Sequence, residues 1–193
     1  MKNLLVLGLM FLSGAIYSQG NPDDYYYQIP KYPDSYTAGT VAARVVDGLG
    51  FRYYWGTEGL REEDMSYRPS EGARNIEETV DHIARLTRVL LNAVSGVPNS
   101  NVELDSMSLD EKRTFTLENI RLASEKLKSS SAEDLQQFDM IFSPESRYPF
   151  WNLLNGPIAD AINHVGQIIT LRRTNGNPIY QNISVLQGKV RGE

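Results

Sequence analysis

The sequence predicts an all-α protein, a four-helix bundle. Four segments carry apolar residues at helical spacing, caps or Gly and Pro bound them, and no convincing apolar–polar alternation marks a strand. Residues 1–18 stand outside that fold. Lys2 is followed by an apolar stretch from Leu4 to Ile16 and then by the small residue Ser18 and Gln19, the pattern of a secretory signal peptide cleaved next to Gln19. That stretch is too short to span a bilayer comfortably, and no later run is apolar over membrane length. The expectation is therefore an exported protein, periplasmic or secreted, with no stable membrane insertion after cleavage. Residues 19–34 are Pro, Asp and Tyr in character and include Tyr25-Tyr26-Tyr27. They read as an extended lead-in laid over the domain by its aromatic rings.

The first helix is expected to begin near Ser35 or Thr37 and to run to about Leu60. Val41, Val45 and Leu49 keep an i, i+4 rhythm, and Phe51 and Trp55 add bulk. Gly48 and Gly50 each cost a helix about 1 kcal/mol relative to Ala, so they mark a close helix contact or a bend. Residues 61–74 read as a polar loop. The second helix opens with a capping box, Asn75 and Glu78, and stops at Ser95-Gly96-Val97-Pro98. Ile76, Val80, Ile83, Thr87, Leu90, Leu91 and Val94 form its apolar face, and His82 lies at the edge of that face beside Leu86 and Val89. Glu77, Asp81, Arg85 and Arg88 point the opposite way.

The third helix opens with a second capping box, Ser108 and Glu111, and runs to about Lys128 on Leu117, Ile120, Leu122 and Leu127. Residues 129–148 are mixed, with a short helical or extended piece over 132–138. The fourth helix carries Asn155-Gly156-Pro157 at its start, with 150–154 as a candidate preceding turn. Its core stripe is Ile158, Ile162, Val165 and Ile169, and Gly166 is expected to admit a neighbouring helix. Arg172 and Arg173 meet the dipole of its last turn, and Asn175-Gly176-Asn177-Pro178 ends it. The bundle thus covers 35–178, and 179–193 reads as an irregular tail. The connection over 96–107 has 12 residues and reaches about 40 Å. A 20-residue helix is only about 30 Å long. That connection can cross the bundle and leave the second and third helices parallel.

Composition narrows the function. A net charge of −5 with acids and bases interspersed argues against nucleic acid as the main partner. The absence of cysteine excludes disulfides, thiolate metal sites and a cysteine nucleophile. Two histidines, His82 and His164, carry the clearest chemistry. Asp160 precedes His164 by four residues, so both side chains rise from one helix face. If His82 reaches the same point from its own helix, two imidazoles and one carboxylate make a ligand set for a divalent metal. Zinc suits that set first, with nickel, manganese or iron as alternatives. Glu78 lies one turn before His82, and Asn163 and Gln167 flank His164. These three, with Trp151 just before the fourth helix, are candidates to support the ligands or line a pocket, although Glu78 is first a capping residue.

The segments Asn75-Ile76-Glu77-Glu78-Thr79-Val80-Asp81-His82 and Ile158-Ala159-Asp160-Ala161-Ile162-Asn163-His164-Val165-Gly166-Gln167 together resemble the DinB-like (DinB/YfiT-like) superfamily. Arg172-Arg173 and Gly176-Asn177-Pro178 look like the end of that family's last helix. The resemblance implies a four-helix bundle holding a divalent metal by one His from the second helix and a His-x-x-x-His pair from the fourth. Here Asp160 replaces the first member of that pair, giving a two-histidine, one-carboxylate site and favouring somewhat harder ions. Three protein ligands leave positions for water and substrate, which implies a metal-dependent hydrolase acting on an unidentified small molecule. A non-catalytic exported ligand- or metal-binding bundle is the alternative, and a thiol-dependent transferase the second alternative. A homodimer is compatible with either.

Overall fold

A computed structural model describes residues 24–192. The leader expected over 1–18, and the first part of the lead-in, lie outside the described residues. The long helices are α1 (Ala38–Thr57), α3 (Ile76–Val94), α4 (Leu109–Lys128) and α7 (Ala159–Thr174). Single turns α2 (Glu62–Met65), α5 (Ala132–Leu135) and α6 (Phe150–Leu153) lie between them. The caps are those the sequence announces. Asn75 accepts from the Glu78 amide while Glu78 accepts from the Asn75 amide, and Ser108 and Glu111 do the same for α4. Thr37 and Thr40 close α1 in the same way.

Each long helix packs on two others. Both α1 and α3 lie against α4 and α7. Cross-helix pairs fix the directions. Asp47 meets Ser124 and Lys128, while Thr57 meets Arg113, so α1 and α4 are antiparallel. Lys112 at the start of α4 meets Glu77 and Asp81 at the start of α3, so α3 and α4 are parallel. The connection between them therefore does cross the bundle. His82 faces Asp160 and Arg74 faces His164, which makes α3 and α7 antiparallel.

The core is continuous, from Val46, Leu49 and Tyr53 on α1 through Val80, Ile83 and Leu90, Ile120 and Leu127, to Val165 and Ile168. The rotation of α1 differs from the expected one. Val41 and Val45 are 51% and 43% exposed, and the inward stripe is Ala42, Val46, Leu49 and Tyr53. Gly39 explains the shift, because a side chain there would collide with the Leu127 and Ser130 carbonyls ending α4. Close approach at Gly39 sets the face that α1 turns inward. On α3, Glu77 and Asp81 lie off the apolar face, on the side toward the start of α4. They hold Lys112, which is buried at 3% exposure, at 3.1 and 2.9 Å.

The lead-in is seated by Tyr26, whose ring lies on Gly50. A Cβ at Gly50 would stand 2.5 Å from that ring. The Tyr26 hydroxyl donates to buried Asp47 at 3.2 Å. Burial and that carboxylate push the phenol well above its ordinary pKa. Gly50 thus marks a close contact with the lead-in rather than with another helix.

Two short hairpins depart from the expected absence of strands. Strands β1 (Asp139–Ser143) and β2 (Ser146–Pro149) pair antiparallel within the mixed segment, and β3 (Ile183–Ser184) pairs with β4 (Lys189–Val190) in the tail. Runs this short cannot show a readable period of two. The tail, expected to be irregular, packs against the domain. Ile183 and Val190 are buried, and the Ile29 amide donates to Gly188. Helix α7 is reached from α6 through a π-helical stretch, Leu154–Ile158, with Gly156 out of the helical region at φ −92°, ψ −107°. Pro157 accounts for it. Proline lacks an amide hydrogen and keeps the preceding residue out of the α region. Among the described residues no helix is long and apolar enough to cross a membrane.

Candidate metal centre

The three expected ligands come together. His82 from α3 and Asp160 and His164 from α7 present ligand atoms that all lie within 4.8 Å of one another. The sequence places them so because His82 sits at the edge of the α3 core face, where α7 packs, and Asp160 and His164 share one edge of α7. Asp160 spans the histidines. Its Oδ2 is 3.1 Å from His82 Nε2, and its Oδ1 is 3.3 Å from His164 Nε2. The two imidazoles stand nearly perpendicular, 4.6 Å between ring centres.

Burial is graded across the group. The His164 side chain is 10% exposed, that of His82 30% and that of Asp160 42%, so Asp160 is the member most open to solvent. Burial lowers the His82 pKa, against the Asp160 hydrogen bond, and the Arg74 and His164 charges lower it further. That favours the neutral imidazole, the form that ligates.

Gln167 orients His164. The Gln167 Oε1 accepts from His164 Nδ1 at 2.8 Å, which directs the Nε2 lone pair toward Asp160 and His82. Nε2 then faces a carboxylate oxygen with no proton of its own to share, and the nearest donor to it is Arg74 Nη1 at 3.4 Å. A divalent cation satisfies such a set, and by donor type and mutual reach the three residues fit one.

The remaining candidates separate. Glu78 stays in its cap, accepting from the Asn75 amide at 2.9 Å and from Arg68 at 3.3 Å. Asn163 and Gln167 line a cleft of about 570 Å³ that opens from His164 between α7 and the loop before α3. Trp151, 74% exposed, lines a different, apolar groove beside the start of α1. Gly166 faces the cleft, and a Cβ placed there would meet nothing within 4 Å, so it admits no neighbouring helix. The sequence context of Arg74 marks it only as the neighbour of the α3 cap. Its Nη1 lies 3.4 Å from His164 Nε2, and it lines the same cleft.

Arg172 also has a different use from the one its position suggests. It is 2% exposed, and its guanidinium donates to the carbonyls of Gly56, Glu58, Gly59 and Asn177. It therefore caps the end of α1 rather than serving its own helix dipole.

Among solved structures the chain is similar to a DinB-like protein, YjoA, from Bacillus subtilis. The TM-score is 0.51 at 20% sequence identity, over 72% of this chain and 97% of that one. The fold is DinB-like. No family profile matches the sequence, and neither does any curated protein.

Proposed function

We propose that this chain is an exported metal-binding protein that works as a metal-dependent hydrolase, with His82, Asp160 and His164 holding one divalent ion, zinc first. The observation that carries this reading is the convergence of the three ligand atoms within 4.8 Å on a DinB-like bundle. An ion with three protein ligands supplies activation of water and polarisation of a substrate oxygen. The chain's own residues do the rest. His164 is held in its ligating tautomer by Gln167, and it is the member of the group that lines the cleft. Asp160 lowers the net charge of an ion held there by one, and Gly166 keeps the cleft wide at the point where a substrate would enter.

One observation favours the non-catalytic alternative. Among the described residues no carboxylate lines the cleft, so none there supplies a general base beyond the ligands themselves. Export is supported by the Lys2, Leu4–Ile16 and Ser18 pattern. Retention of Met1–Ser18 in the soluble protein, read by intact mass from the native host, would refute it.

Metal content and thermal melting of protein purified without a histidine tag test the metal reading. Wild type should retain about one ion per chain and melt higher with added zinc. His82→Ala should keep the metal-free melting temperature, because His82 lies outside the apolar centre of α3, and should lose the zinc response. Equal zinc responses in the two proteins would refute the site.

A further inference from the structure

Among the described residues, the cleft beside the candidate metal centre is lined by one charged side chain, Arg74, and by no acidic one. Its other polar walls are Asn163, Gln167 and Thr170, and Pro69 and Leu171 give it apolar sides. Other arginines near this end of the bundle are occupied. Arg61 is paired with Asp64 and Glu63, Arg68 with Glu78, and Arg172 is spent on backbone carbonyls. Arg74 has no ion pair with a carboxylate among the described residues. Its guanidinium instead reaches to 3.4 Å from His164 Nε2.

A guanidinium beside a cation site is electrostatically unfavourable unless an anion shares the two charges. One carboxylate ligand leaves a divalent ion with a net single positive charge, and Arg74 adds another beside His164. The complement of such a cleft is a small anion. A planar fork of N–H donors suits a carboxylate, which it can engage in bidentate fashion. The apolar walls suit an organic body attached to it.

We propose that Arg74 and this cleft form a subsite for the carboxylate of a small organic acid, holding the remainder of that molecule against the His164 edge of the His82–Asp160–His164 centre. The inference rests on the metal-centre reading for the second half of that statement, and on the cleft alone for the first. The predicted substrate class is accordingly carboxylate-bearing small molecules.

Calorimetric titration of benzoate and of its neutral isostere benzamide into tag-free protein tests it, with zinc-loaded and metal-free samples run in parallel. Benzoate should bind wild type in both, more tightly with zinc, and benzamide should bind roughly 10- to 100-fold more weakly. Arg74→Gln should weaken benzoate by a similar factor without changing benzamide, and Arg74→Lys should retain part of the affinity by keeping the charge. Arg74 is exposed, so all variants should melt with wild type. Equal binding of benzoate by Arg74→Gln and wild type overturns the subsite, as does equal binding of benzoate and benzamide or no benzoate binding at all. If inorganic phosphate binds more tightly than benzoate through Arg74, the carboxylate assignment is overturned. Failure to load zinc refutes the metal reading instead, and the metal-free titrations then decide the subsite on their own.

Discussion

At the scale of single residues, Gln167 is the clearest case of a side chain whose worth lies in another's orientation. It is exposed and buries little, yet its carbonyl oxygen holds the His164 ring at 2.8 Å. Gln167→Ala should leave the metal-free melting temperature unchanged and reduce zinc affinity roughly 10- to 100-fold, the usual cost of losing a partner that orients a ligating histidine. Competition titration against a zinc chelator reads the affinity directly. Unchanged affinity would mean that packing alone orients His164. Asp160 carries the matching lesson for charge. With 42% of its side chain exposed it is a poor candidate for a structural ion pair, and its two oxygens reaching two imidazoles make sense as a ligand position.

At the scale of elements, the end of α1 is tied to the end of α7 by a buried polar knot rather than by apolar contact. Arg172 supplies donors to the carbonyls that α1 leaves unpaired, and Asp64 on α2 accepts from Arg61, Asn175 and Asn177. The Arg61 guanidinium, with the two amides, holds the Asp64 carboxyl well below the usual carboxylate range despite its burial. A depressed folded-state pKa means the unfolded chain binds the proton more readily. The stabilisation is therefore complete above the ordinary carboxylate pKa near 4 and is lost as pH falls below it. Asp64→Asn should be less stable than wild type by about 1–3 kcal/mol at pH 7. The gap should narrow as pH is lowered below about 4. Urea unfolding at a series of pH values measures it, and a gap independent of pH would show that the carboxylate's charge is not what holds the knot.

At the scale of the whole molecule, the bundle and the pairing of Asp160 with His164 are readable in the sequence because both are periodic signals. Capping boxes at Asn75 and Ser108 mark two helix starts, and the four-residue step from Asp160 to His164 puts both on one face. The features that escape such a reading lack periodicity. Val41 and Val45 follow the helical rhythm as well as Ala42 and Val46 do, and only the contact of Gly39 with the end of α4 decides between them. The hairpins are too short to alternate, and Arg74 reaches His164 across 90 positions of chain, a proximity that no local pattern records. The crossing of the bundle by the connection between α3 and α4 is permitted by its length and decided by Lys112 meeting Glu77 and Asp81. The central claim is that His82, Asp160 and His164 hold one divalent ion, and anomalous diffraction at the zinc edge from tag-free crystals grown with zinc tests it most directly. The account predicts one strong peak about 2.0–2.2 Å from Nε2 of both histidines and from an Asp160 carboxylate oxygen. A crystal with zinc only elsewhere, and His82 still hydrogen-bonded to Asp160, would contradict it.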